Sequence, residues 1–338
     1  MSNLQISQEA LLAHLKAQIP AERSFVDEVA NILDISYDAA YRRVNLKSQL
    51  SLDEAVILAR HFKISLNRLY EVGQQNTLLV EKSPAIKDLA GLEQYFLVSM
   101  KSIEPLINAK GVEIIYSAKD IPIFFTLTNT YITKYKFYVW LKFLDEDGQM
   151  AKMTFEEFLP TIPPSLIETT MQLAETYNYL DITEFWNDNT INGTLQQVYY
   201  YFESGHLNKE LAQQICKDLH EIIDRVEKQT IQQAIIDSKN NARYLLYKSD
   251  LLTMSNTVMF RTPKQSLFFT PFTVLTYLKV VNPNTCNEML QFFNKQKSNS
   301  KLLASAGEKD RGIFFNKMRQ KIDLLLANIQ ADRDLNLF

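Results

Sequence analysis

Little in this chain favours chemistry that depends on sulfur or on glycine loops. Its 338 residues include only 2 Cys and 8 Gly. Cys216 and Cys286 lie far apart and belong to no C-x-x-C pair, so no disulfide framework is expected, and two lone thiols suit a reducing, cytoplasmic setting. Neither G-x-G-x-x-G nor G-x-x-x-x-G-K-[ST] occurs, which leaves no glycine loop to cradle a phosphate. A G-x-S-x-G elbow is also missing, and neither cysteine has a nearby histidine motif to activate it. The 4 histidines (His14, His61, His206 and His220) are scattered, and the last two lack the one-turn spacing that sets two ligands side by side on a helix. No catalytic residue, metal site or cofactor is therefore expected, and the chain does not read as an enzyme. No apolar run approaches the ~18–20 residues that span a bilayer. The N-terminus from Met1 lacks the basic segment and continuous apolar stretch of a signal peptide, so no membrane partner is expected.

What is present is a large store of aromatic core residues, 20 Phe and 16 Tyr, in a chain long enough for about two domains. The net charge is -3. That total does not exclude a nucleic-acid partner, because a polyanion responds to the charge on the contacting face.

The first seventy residues carry helix-start signals at short intervals. Ser7 precedes Ala10, Leu11 and Leu15, and Ser24 opens a stripe of Val26, Val29, Ala30 and Leu33. Ser36 can cap Tyr37 to Val44, and Ser51-Leu52-Asp53-Glu54 has the form of a capping box. Behind it, Leu52, Ala55, Val56, Ala59 and Phe62 read as one stripe, and Ser65 precedes a last segment with Leu66, Leu69 and Tyr70. Five short helices follow, none able to bury its apolar face alone, so they must pack together.

Only Asp34-Ile35 separates the second helix from the third, and so short a joint makes two helices cross steeply. Asp suits the joint because it visits the left-handed region more readily than most residues. With Ala40 and Val44 inward, Tyr37, Asp38, Arg42 and, at the margin, Arg43 face out. Lys47 follows in the loop, and no acidic residue occurs between Ala39 and Leu52. A guanidinium can pair bidentately with guanine, and a lysine suits phosphate. The set expected to face duplex DNA is Ser36, Tyr37, Asp38, Tyr41, Arg42, Arg43 and Lys47, on a recognition helix over 36–45.

Ser24 to Tyr70 resembles the lambda-repressor-like helix-turn-helix family. The resemblance rests on Ala30 followed by Leu33-Asp34-Ile35-Ser36, on Arg42, and on Leu52 to Phe62 ending in Ile64-Ser65-Leu66. Asp34 stands where the family often has Gly, and Arg43-Val44-Asn45-Leu46 replaces its usual Glu and Gly. The resemblance implies a sequence-specific transcriptional regulator that binds double-stranded DNA as a homodimer. The alternative is a protein-interaction adaptor, in which the same helical bundle docks a partner.

Gly73 to Thr77 is polar and reads as linker. Beyond it, Ser83-Pro84 is expected to start a helix running to Ile107, Gly111 to Leu127 to hold a strand and a turn, and Tyr131 to Leu144 to be either strand or helix. Ser165–Tyr177, Thr190–Phe202 and Asn208–Ser238 read as helices, the last with Leu211, Ile215, Leu219, Ile222 and Val226 at near-heptad spacing. The Pro84–Ile107 helix and the outer face of Asn208–Ser238 are the two candidate dimer surfaces. Short β-prone runs between Arg243 and Val281 suggest an antiparallel sheet, and Glu308 to Ala327 a closing helix. Tyr116 to Pro122, Glu184 to Ile191, and Gly307 to Arg311 with Phe314-Phe315-Asn316 resemble the C-terminal part of certain bacterial helix-turn-helix regulators, which implies a regulator but no chemistry.

The expected fold is thus α+β and mostly helical. A five-helix domain occupies 1–73, a linker 74–83, and a C-terminal domain of helices with an antiparallel sheet 84–338. That last domain is assigned to dimerisation and is a candidate for ligand sensing. A small-molecule effector is compatible with it, but no residue pattern supports one.

Overall fold

A serine hydroxyl ahead of an amphipathic stretch can take up a free N–H of the first helical turn, and three helices of the N-terminal unit begin this way. The computed structural model describes residues 3–20, 23–66, 69, 78–107, 109–251, 255–303 and 307–331. It is α+β, mostly helical, and divides into units over 1–79 and 80–338.

In the first unit, α1 (Asn3–Lys16) begins ahead of Ser7. Helices α2 (Phe25–Leu33), α3 (Tyr37–Val44) and α4 (Leu52–His61) start at Ser24, Ser36 and Ser51, and Ser51 and Glu54 form a complete capping box. Leu11, Leu12, Leu15, Phe25, Val29, Ala40 and Leu58 form the core. The expected stripe on α4 needs correction: Leu52 sits in the capping turn at 77% exposure, and Leu58 takes its place inside. Residues 67, 68 and 70 of the fifth helix expected from Ser65 to Tyr70, and residues 74–77 of the expected linker, lie outside the described residues.

The second unit is built on one sheet of eight strands in the order β1-β7-β6-β5-β2-β3-β4-β8. The strands are β1 (Glu81–Lys82), β2 (Glu113–Ser117), β3 (Asp181–Trp186), β4 (Tyr244–Lys248), β5 (Thr257–Arg261), β6 (Ser266–Thr273), β7 (Thr276–Val280) and β8 (Lys301–Leu302). The sheet is mixed, not antiparallel, because β3 pairs parallel to both β2 and β4. The reason is connectivity: helical crossovers join β2 to β3 and β3 to β4, and such crossovers return the chain in the same direction. Helices α5 (Leu89–Ile103), α6 (Tyr131–Leu144), α7 (Phe155–Phe158) and α8 (Pro164–Tyr177) are followed, after β3, by α9 (Asn192–Glu203) and α10 (Lys209–Gln232). Helices α11 (Pro283–Ser298) and α12 (Gly307–Ala331) complete the unit.

Side-chain alternation sends Ile114, Tyr116, Ile182, Trp186, Tyr244 and Leu246 into the main core. Ile115, Phe185, Tyr247 and Met259 go to the opposite face, against Cys286 and Phe293 of α11. Burial on both faces is what parallel strands require.

Two further expectations change, and one left open is decided. The helix expected from Pro84 starts only at Leu89, capped by Asp88. Residues 81–83, expected as linker, instead join the sheet: β1 pairs with β7, and Ser83 exchanges hydrogen bonds with Tyr277. Tyr131–Leu144, open between strand and helix, is helical because its aromatics are buried around the cylinder, with Tyr135, Phe137 and Tyr138 inside the core.

Glu184 lies fully buried in the central strand, its Oε2 accepting from Trp186 Nε1 at 2.6 Å and Tyr244 Oη at 2.7 Å, while Oε1 has no partner. Burial pushes its carboxyl up to about 8, against the pull of those two donors. A carboxyl that holds its proton more tightly when folded makes stability fall as pH rises from the ordinary value of 4.5 to about 8. Glu184→Gln removes that proton and should flatten the decline, which denaturant midpoints across this pH window will show. An unchanged slope in the variant would contradict the assignment.

Candidate nucleic-acid interface

The α2–α3 joint is set by Asp34, which adopts the left-handed conformation (φ 52°, ψ 50°) that ends α2. The Ile35 N–H then reaches back to the Ala30 carbonyl at 3.1 Å, and Ser36 Oγ accepts from the Ala39 N–H at 3.3 Å to begin α3 at once. Fully buried Ala40 turns one face of α3 to the core. Ser36, Tyr37, Asp38, Tyr41, Arg42 and Lys47 all lie on the exposed surface.

The exposed face has internal order. The Tyr37 and Tyr41 rings stack at 6.4 Å with 23° between planes, and Lys47 Nζ stands 5.3 Å over the Tyr41 ring. Two large aromatics at 53% and 42% exposure, flanked by Arg42 and Lys47, make a surface unlike an ordinary solvated helix face. The loop carrying Lys47 is fixed from behind. Gln8 Nε2 donates to the Arg43 and Ser48 carbonyls, both at 2.9 Å, and Gln8 Oε1 accepts from the Leu50 N–H at 3.0 Å. Leu46 takes a positive φ of 58° in this loop, a conformation that favours glycine. A leucine there costs on the order of 1–2 kcal/mol, and its packing against the core of the unit offsets the strain.

Arg43 does not belong with the exposed set. Its Nε donates to Glu54 Oε2 at 3.0 Å, its second terminal nitrogen lies 2.7 Å from Glu54 Oε1, and Nη1 donates to the Ala39 carbonyl at 3.1 Å. The pair clamps α3 to α4. The hydrogen bond from Arg43 holds the Glu54 carboxyl below its ordinary value, with the Ser51 N–H acting in the same direction. Glu54 is legible from the capping box, but its second role is not, because nothing local marks which arginine will reach it.

The other sequence candidates fall elsewhere. Asp120, in the Tyr116–Pro122 stretch, enters a polar cluster with Lys136 from α6. In the Gly307–Arg311 stretch, Asp310 pairs with Lys301. The aromatic strands contribute Tyr244, Tyr247, Phe260 and Phe268 to core packing. Burial pushes the Cys216 thiol up to about 12, far from a thiolate at neutral pH. Among the described residues no cluster of His, Cys, Asp or Glu is arranged to hold a metal ion, and no helix is long and apolar enough to cross a membrane.

Comparison of the chain with protein-family models, with curated proteins and with solved structures returns no match.

Proposed function

We propose that this chain is a sequence-specific DNA-binding transcriptional regulator whose N-terminal helix-turn-helix places α3 in the major groove. The observation that carries the reading is the exposed Tyr37–Tyr41–Arg42–Lys47 face, borne on the second helix of a tightly turned pair and stiffened by the Arg43–Glu54 clamp. In this geometry the start and outer face of the second helix meet base edges. Arg42 supplies a fork suited to guanine, Tyr37 and Tyr41 supply apolar ring faces for thymine methyls, and Lys47 contacts phosphate. One such head covers few base pairs, so the working form is a homodimer on two half-sites about one helical turn apart, joined through the C-terminal unit.

Two variants separate reading from scaffolding. Arg42→Ala should cost about 1–3 kcal/mol of specific binding and relax preference at one base pair, leaving thermal stability unchanged. Arg43→Ala should instead lower the stability of the helical unit by about 1 kcal/mol or more, since it frees a half-buried carboxylate. Affinity measured over a salt series decides between DNA and a protein partner, because release of counterions from phosphate gives a steep slope. Flat salt dependence with undiminished binding by Arg42→Ala would favour the adaptor.

A further inference from the structure

A cleft of about 640 Å³ opens in the C-terminal unit between α8 and α10, a size suited to a small ligand. Its floor is apolar, formed by Phe124, Phe125, Leu127, Ile132, Ile182 and Ile222. Helix α10 lines it from Asp218 through Glu221 and Arg225 to Lys228 and Gln229. Steps of three and four residues keep these on one stripe, about 16 Å long at a rise of about 1.5 Å per residue.

The two ends of that stripe differ in charge. Three carboxylates on the cleft wall are matched within the protein: Glu175 by Lys239 at 2.7 Å, Asp224 by Arg319 at 2.7 Å, and Asp237 by Arg225 at 3.6 Å. Asp218 and Glu221, at one end, have no ion-pair partner among the described residues. Asp218 is 9% exposed and sits against the start of α6, where it accepts the Ile132 N–H at 2.8 Å and the Tyr131 N–H, so the negative charge at this end that is left for a ligand is chiefly that of Glu221. At the other end Lys228 has no carboxylate partner among the described residues, and Gln229 is 2% exposed. Gln229 Oε1 accepts from the Ile236 N–H at 3.1 Å, which leaves Nε2 buried without an acceptor. Unmatched negative charge, an apolar floor, and an unmatched cation beside an unsatisfied donor thus follow one another along a single groove.

We propose that this cleft binds a linear zwitterion with an apolar middle, the chemistry of a short unblocked peptide. Its ammonium lies at Asp218 and Glu221, its apolar side chains rest on Phe124 and Phe125, and its carboxylate meets Lys228. A shift of Gln229 toward the groove lets Nε2 donate to a carbonyl near that end. An extended chain of about four to five residues, at about 3.3–3.6 Å each, spans the stripe. The inference concerns the C-terminal unit alone and stands apart from the reading of α3.

The test uses the full chain without DNA and an equimolar pool of tetrapeptides built from leucine, phenylalanine, valine and alanine. Native mass spectrometry compares the pool unblocked, N-acetylated and C-amidated. Unblocked peptides should be retained, and each block should weaken binding about tenfold, the loss of one partly solvated charge contact. Glu221 and Lys228 are exposed, so Glu221→Gln and Lys228→Gln keep the fold. Glu221→Gln should weaken the preference for a free amino terminus, with Asp218 retained, and Lys228→Gln should abolish the preference for a free carboxylate. Equal retention of blocked and unblocked peptides, no retention at millimolar concentration, or preferences untouched by the two variants would overturn the proposal.

Discussion

Aspartate at Leu219 will unfold the C-terminal unit instead of separating two subunits. Leu219 is 1% exposed on α10, within the main core and among residues of the helix that packs against α6 and α12. The substitution removes a buried leucine and leaves an unpaired carboxylate in apolar surroundings, at a cost on the order of 4 kcal/mol or more. Leu92→Asp on α5 meets the same fate, since Leu92 is fully buried and α5 packs on α8. Denaturant unfolding followed by circular dichroism checks both. A variant that stays folded and sediments as a monomer would contradict the internal placement. Either stripe can therefore serve a dimer only through its outward residues.

Replacing Lys136 by alanine should cost about 1.5–3 kcal/mol, the worth of charge-assisted hydrogen bonds lost from a buried ammonium to a partly exposed carboxylate and two neighbouring polar groups. Lys136 is 4% exposed, and its Nζ donates to Asp120 Oδ2 at 3.0 Å, Thr194 Oγ1 at 2.6 Å and Gln197 Oε1 at 3.2 Å. Thr194 Oγ1 in turn donates to Asp120 Oδ1 at 2.8 Å, so the cluster ties the end of β2 to α6 and α9. Removing the ammonium leaves Asp120 Oδ2 without its cation, with only the Thr194 hydroxyl and the Ile121 N–H on Oδ1. Combining Lys136→Met with Asp120→Asn should recover much of the loss, because the pair then leaves together. Single variants within about 0.5 kcal/mol of the parent would show the cluster to be dispensable.

What the sequence makes legible here is what acts locally. Ser24, Ser36 and the Ser51–Glu54 box mark their helix starts because a cap is satisfied within three residues. Asp34 marks the joint because its own conformational preference supplies the turn. Strand β3 is hidden for the opposite reason. It opens with Asp181 and contains Glu184, and its stability comes from parallel neighbours and from donors such as Tyr244, distant in the chain. Helix α11 carries a readable signal, Asn282 as cap followed by Pro283, immediately after the β-prone runs that end at Val281. The near-heptad stripe of α10 is legible as helix but not as interface or core, because the same spacing serves both. Arg43 illustrates the limit at the candidate site: a one-position difference in facing decides whether a guanidinium stays on the exposed face or holds Glu54.

The most direct test of the account is selection of bound sequences from a random duplex pool with the purified full chain. The account predicts enrichment of a two-fold symmetric site, its half-sites about one helical turn apart, and loss of preference at one position per half-site when Arg42→Ala is used. Absence of any enriched sequence at low salt, where phosphate contacts are strongest, would contradict it.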